Sequence, residues 1–112
     1  MPDLYVYHLT EHELNLSRND AKEAEDVFGK DTPEFCECMI ARQKVWCNLI
    51  VNDFQEYQDI RDRCGRPLFD YETRESCHEG AVHGLIKWQN RLIQAQRHRA
   101  KKKAKKVKAG EA

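Results

Sequence analysis

Cys64, Cys77, His78 and His83 are the residues whose types could do metal chemistry, since thiolates and imidazoles are donors that zinc takes tetrahedrally. They lie in RDRCGRPLFDYETRESCHEGAVHG, residues 61–84, which also holds a proline and three glycines. The stretch is either a metal loop or the bend that lets two helices lie side by side. A helix starting near residue 74 would set Cys77 and His78 about 100° apart around its axis, and Cys77 and His83 about 240° apart. Donors so placed cannot meet on one ion. The expectation is a capped loop with one or two core cysteines. A zinc-binding loop using all four residues is the lesser alternative, and it needs the helix to begin beyond Gly84.

Cys64-Gly65-Arg66-Pro67-Leu68 resembles the first knuckle of a zinc ribbon, but Arg61 stands at the earlier cysteine position and Gly80 at the position that should pair with Cys77. Half of each ligand pair is missing. ESCHEGAVHGLI is similar in part to the histidine-bearing knuckle of HNH-type nucleases, without the acid and histidine before it or the later ligands after it. Cys36 and Cys38, two apart on a helix, point about 200° away from each other, which argues against a redox pair. No glycine-rich phosphate loop or nucleophile elbow occurs. The reading expects no enzyme, no catalytic residue and no cofactor.

Charge is the stronger signal. The formal net charge is zero, yet residues 1–80 hold 18 acids and 9 bases, and residues 81–112 hold 1 acid and 10 bases. The chain has an acidic body and a basic end. Arg97, Arg99, Lys101, Lys102, Lys103, Lys105, Lys106 and Lys108 follow one another with no acid between them, and Lys87 and Arg91 could extend that surface. Such a run neutralises phosphates and releases counterions, which gives salt-sensitive binding to nucleic acid without sequence preference. It carries no interleaved aromatics to stack on bases. The alternative is a protein-binding inhibitor or adaptor in which Asp20, Glu23, Glu25, Asp26, Asp31, Glu34 and Glu37 imitate a phosphate ladder, as small acidic DNA-mimicking inhibitors of phages do.

The elements that must position these groups read as all-α. Thr10 and Glu13 fit a capping box, and Leu14, Arg18, Ala21, Ala24 and Phe28 recur at helical spacing up to Gly29, which predicts a helix over 11–28. Thr32-Pro33-Glu34 opens a second, over 33–63, with Phe35, Met39, Trp46, Ile50, Phe54 and Tyr57 on an apolar stripe that Ile40, Cys47 and Val51 widen. Thr73 can cap a third, over 74–96, whose Cys77, Ala81, Leu85, Trp88, Leu92 and Ala95 make a coiled-coil-like seam. Gly80 and Gly84 suggest close approach to the second helix or a frayed first turn. Leu68, Phe69 and Tyr71 are expected to tuck the connecting loop inward, and residues 4–9 to form an extended arm on the helices.

The expected architecture is a three-helix antiparallel bundle, residues 1–96 as one domain and 97–112 as a basic tail. A homodimer is expected, because the aromatic surface of the second helix exceeds what two short neighbours cover. No apolar run approaches a membrane span, and five scattered cysteines favour a reducing, cytoplasmic setting in which they act as small core residues.

Overall fold

In the computed structural model, the backbone is described for residues 4–111 and the side chains for residues 4–103. Five helices follow the extended arm: α1 (Glu11–Ser17), α2 (Ala21–Phe28), α3 (Pro33–Asn52), α4 (Phe54–Arg63) and α5 (Arg74–Glu111). The described residues contain no strand. The molecule is all-α, and its two long helices, α3 and α5, pack together. α1 and α2 cover further faces of α3.

Each expected start is capped as the sequence suggests. Thr10 and Glu13 form both halves of the capping box of α1, Thr32 Oγ1 accepts from the Phe35 amide ahead of Pro33, and Thr73 and Ser76 cap α5 reciprocally. Gly29 ends α2 at a φ of 89°, on the side where a Cβ is costly.

Three expectations are corrected. The 11–28 helix is two helices, because Asp20 turns its carboxylate onto the Lys22 amide at 2.8 Å and opens α2. Ser17, one turn earlier, donates to the Leu14 carbonyl at 2.7 Å. The 33–63 helix is also two. Asp53 leaves helical geometry (φ −151°, ψ 71°) and accepts from the Glu56 amide, so one residue ends α3 and caps α4. The third helix does not stop at 96. Alanine, lysine and arginine are strong helix formers, and nothing between Gly84 and Gly110 breaks the run. α5 therefore continues to Glu111 and sets the long axis of a body measuring 62 × 29 × 28 Å.

The core lies around α3. Phe35, Cys36, Cys38, Ile40, Ala41, Cys47 and Ile50 are buried, with Ala24 from α2 and Cys77 and Leu85 from α5. Because α3 is covered on several sides, burial takes in Cys36, Cys38 and Ala41 beyond the widened stripe expected of it. Four of the five cysteines are buried free thiols and only Cys64 is exposed. Burial pushes the Cys47 thiol up to about 11, as for a small core residue without solvent.

Polar ties fix the periphery. Asn48 pairs with both backbone groups of Tyr7, at 2.7 and 2.8 Å, and His78 Nε2 donates to the Tyr5 carbonyl at 2.9 Å, so the arm is clamped between α3 and α5. Arg74 donates to the Ile50 and Val51 carbonyls, satisfying the negative end of α3 from the first residue of α5. Arg74→Ala is expected to lower the unfolding free energy by about 1–3 kcal/mol in a denaturant titration, since charge-assisted bonds to two helix-end carbonyls are lost. Arg74→Lys should recover only part of it, lacking the forked donors.

Gly84 is a close approach: a Cβ there would stand 2.8 Å from Gln43 Oε1, whereas Gly80 faces open space. The loop over 64–73 is held by Arg61, which donates to the Arg66 carbonyl and pairs with Glu72 at 3.2 Å. Its aromatics are not tucked in. Phe69 and Tyr71 are exposed and stack on each other at 5.4 Å, while Leu68 is half-buried. Among the described residues, no helix is long and apolar enough to cross a membrane.

Candidate nucleic-acid interface

Trp88 is the anchor from which the basic face is built. Its ring meets Phe35 edge-on at 5.5 Å, which locks this part of α5 to α3. Lys87 Nζ and the Arg91 guanidinium lie 5.8 and 4.8 Å from the centre of the same ring. The stacked cations keep their stems on the indole and their heads in water.

At about 100° per residue, Lys87, Arg91, His98 and Lys102 fall within about 60° of one another, in a row about 22 Å long. All four are exposed. Beside the row, Lys30 and Asp31 from the turn after α2 face Arg91 and His98 across a groove of about 500 Å³. Lys30 and His98 are missing from the sequence-based set. Lys30 is one of two lysines in an acidic stretch, and only the packing of α2 and α3 against α5 brings it to the row. His98 could have been found by extending the Lys87–Arg91 spacing along the helix.

The other predicted bases divide. Arg97, Lys101 and Lys103 are exposed, Arg97 and Lys101 on the outer side of α5. Lys105, Lys106 and Lys108 lie outside the described side chains. Arg99 falls on the side facing the body and holds Glu34 through two hydrogen bonds, at 2.6 and 2.8 Å. Those bonds from Arg99, followed by the backbone bond at Glu34 itself, draw the Glu34 carboxyl down to about 2.

A depressed carboxyl stabilises the fold fully above its ordinary range, and the contribution is lost as pH falls from about 4.5 through about 2. Both side chains are more than two-fifths exposed, so solvent screens the pair and its contribution to stability is small. The carbon-13 carboxyl signal of Glu34 is expected to titrate near pH 2, and in Arg99→Gln to return toward the ordinary carboxylate range.

The acidic residues of 20–37 are spread over α2, the turn after it and the start of α3. Asp20 caps α2, Glu23 lies in that helix's first turn, and Glu34 is taken by Arg99. Glu25, Asp26 and Asp31 are exposed on α2 and the following turn, and Glu37 is half-buried on α3.

The four residues of the metal alternative lie apart from one another. Because α5 begins at Arg74, His78 turns inward to the Tyr5 carbonyl, while His83 is exposed beside Glu79 at 4.0 Å. Cys77 is buried near Tyr57, and Cys64 is exposed at the end of α4. Among the described residues, no group of three or more His, Cys, Asp or Glu stands close enough to hold an ion. What this region forms instead is a groove of about 660 Å³, lined by Trp46, Tyr57, Arg61, Cys64, Cys77 and Gly80 among others. The Arg61 guanidinium lies 5.9 Å from the Tyr57 ring centre.

No protein-family model, curated protein or solved structure matches this chain.

Proposed function

We propose that this protein is a small non-enzymatic nucleic-acid-binding module that grips phosphates through α5. The observation that carries the reading is the row Lys87, Arg91, His98 and Lys102, exposed on one face of a single helix that runs past its partners. A cationic row on a rigid helix presents charges at fixed intervals, so neutralisation of a phosphate backbone costs little ordering. Lys30 adds a charge from a second element, across the groove. Contacts of this type position a protein on a duplex or strand without reading its bases.

The experiment is a salt titration of binding to fluorescent duplex DNA and to single-stranded RNA, with the full chain and with a chain ending at Gln96. The full chain should lose affinity log-linearly with salt, with a slope of about −0.9 per phosphate engaged on the duplex. The shortened chain lacks eight bases and should bind with a much shallower slope. Equal slopes would remove α5 from the interface. Absence of binding by both at low salt would move attention to the acidic residues of 20–37, where charge reversals would then be tested against a protein partner.

A further inference from the structure

A second seam runs along α5. The first, through Leu85, Trp88 and Leu92, faces α3. About 90° around the helix lies a stripe of Val82, Ile86, Gln89, Ile93, Gln96 and Ala100, spaced alternately four and three apart. That is the repeat by which helices pair in a coiled coil. Ile86 and Ile93 are 49% and 46% exposed, two large aliphatic side chains seven apart that nothing in the monomer covers further. The clamped arm leaves Tyr5 and Val6 exposed where it meets α5 at His78, one turn before Val82 and on the same side.

The same spacing continues into charged residues at both ends: Glu79 and Glu75 before Val82, and Lys103 after Ala100. All three are exposed. The stripe is thus acidic at one end, basic at the other and uncharged between, with aliphatic side chains alternating with glutamines, which makes its charge complementary to its own reverse. We infer that α5 pairs antiparallel with α5 of a second copy of this chain along this stripe. In the register centred on residue 91, Glu79 faces the partner's Lys103, Val82 the partner's Ala100, Ile86 the partner's Gln96 and Gln89 the partner's Ile93. Parallel pairing would set Glu79 against Glu79 and Lys103 against Lys103, which disfavours it.

This surface differs from the α3–α4 aromatics on which the sequence suggests a dimer, and it leaves the Lys87–Arg91–Lys102 row uncovered. In the antiparallel pair the two basic ends leave from opposite sides, with the backbones at residue 105 about 42 Å apart.

Sedimentation equilibrium on nuclease-treated full-length protein tests the inference independently of nucleic-acid binding. A reversible dimer is expected, and Ile93→Glu should raise its dissociation constant at least about tenfold while helical circular dichroism is unchanged. Glu79→Lys and Lys103→Glu should each weaken the dimer, and the double variant should restore it. A monomer at every concentration, or a dimer indifferent to Ile93→Glu, would overturn the inference. Single reversals without rescue in the double variant would overturn the antiparallel register.

Discussion

Arg91→Gln combined with Lys102→Gln is expected to weaken binding to duplex DNA roughly 60-fold at 0.1 M salt, because each phosphate contact contributes about eightfold there through counterion release. The control removes the same charge elsewhere. Arg97→Gln with Lys101→Gln lies off the row, on the outer side of α5, and its effect should stay within about fivefold, the residue of long-range attraction screened over a Debye length of about 10 Å. Fluorescence anisotropy across a salt series reads both quantities. The row variant should flatten the slope by about two phosphates, and the control should leave it nearly unchanged. Equal losses from the two pairs would mean that the helix acts as an undirected polycation, and the row would then have no special role. Arg91 also packs on Trp88, so melting curves of each variant accompany the binding data. An unchanged midpoint assigns the loss to charge.

Phe35→Ala should be the most damaging single core change, at about 3–5 kcal/mol. Phe35 is 5% exposed and clusters with Ala24 and Cys38, with Leu16, Phe28, Met39 and Trp88 packed around them. One ring therefore joins α1, α2, α3 and α5. Its loss leaves a cavity that no single neighbour can fill, and removes the edge-on partner of Trp88. The melting midpoint should fall by roughly 12–25 °C, with Phe35→Leu keeping most of the stability. Tryptophan emission should move to longer wavelength in the folded variant as water reaches Trp88. A fall of less than about 1 kcal/mol would place the centre of the core elsewhere on α3. The same variant bears on the interface, since Trp88 carries the stems of Lys87 and Arg91. Loosening it should weaken binding even below the melting midpoint.

How far the sequence reached can be judged element by element. Caps were legible because they are local. Thr10 with Glu13, Thr32 before Pro33, and Thr73 each work within one turn, and each opens a helix where the spacing places it. The breaks at Asp20 and Asp53 were not legible, although both residues are good N-caps. An aspartate inside an apolar-periodic run can face solvent in a continuous helix or turn back to cap a new one. Here the chain must bend at both points to pack around α3, where Arg42 donates to the Asn19 carbonyl and Lys44 pairs with Glu13.

The basic face shows the same division. That residues 97–108 are cationic is plain from composition. That they belong to a helix continuous with Trp88 follows from backbone propensity without any packing partner, so it too lies within reach of the sequence. The assignment of Arg99 to Glu34, by contrast, depends on where α3 begins relative to the twenty-sixth residue of α5.

By itself, then, the sequence determined the all-α class, the starts of α1, α3 and α5, the free thiols in the core and the segregation of charge. These follow from propensity, capping and periodicity, which act over a few residues. Only the tertiary structure decided that Lys30 joins Arg91 and His98 across a groove, that His78 turns onto the Tyr5 carbonyl of the arm, and that α5 keeps a second stripe of aliphatic side chains half in water. Each of those depends on the angle and register at which α5 lies on α3, and these are set by the summed packing of many side chains far apart in the chain.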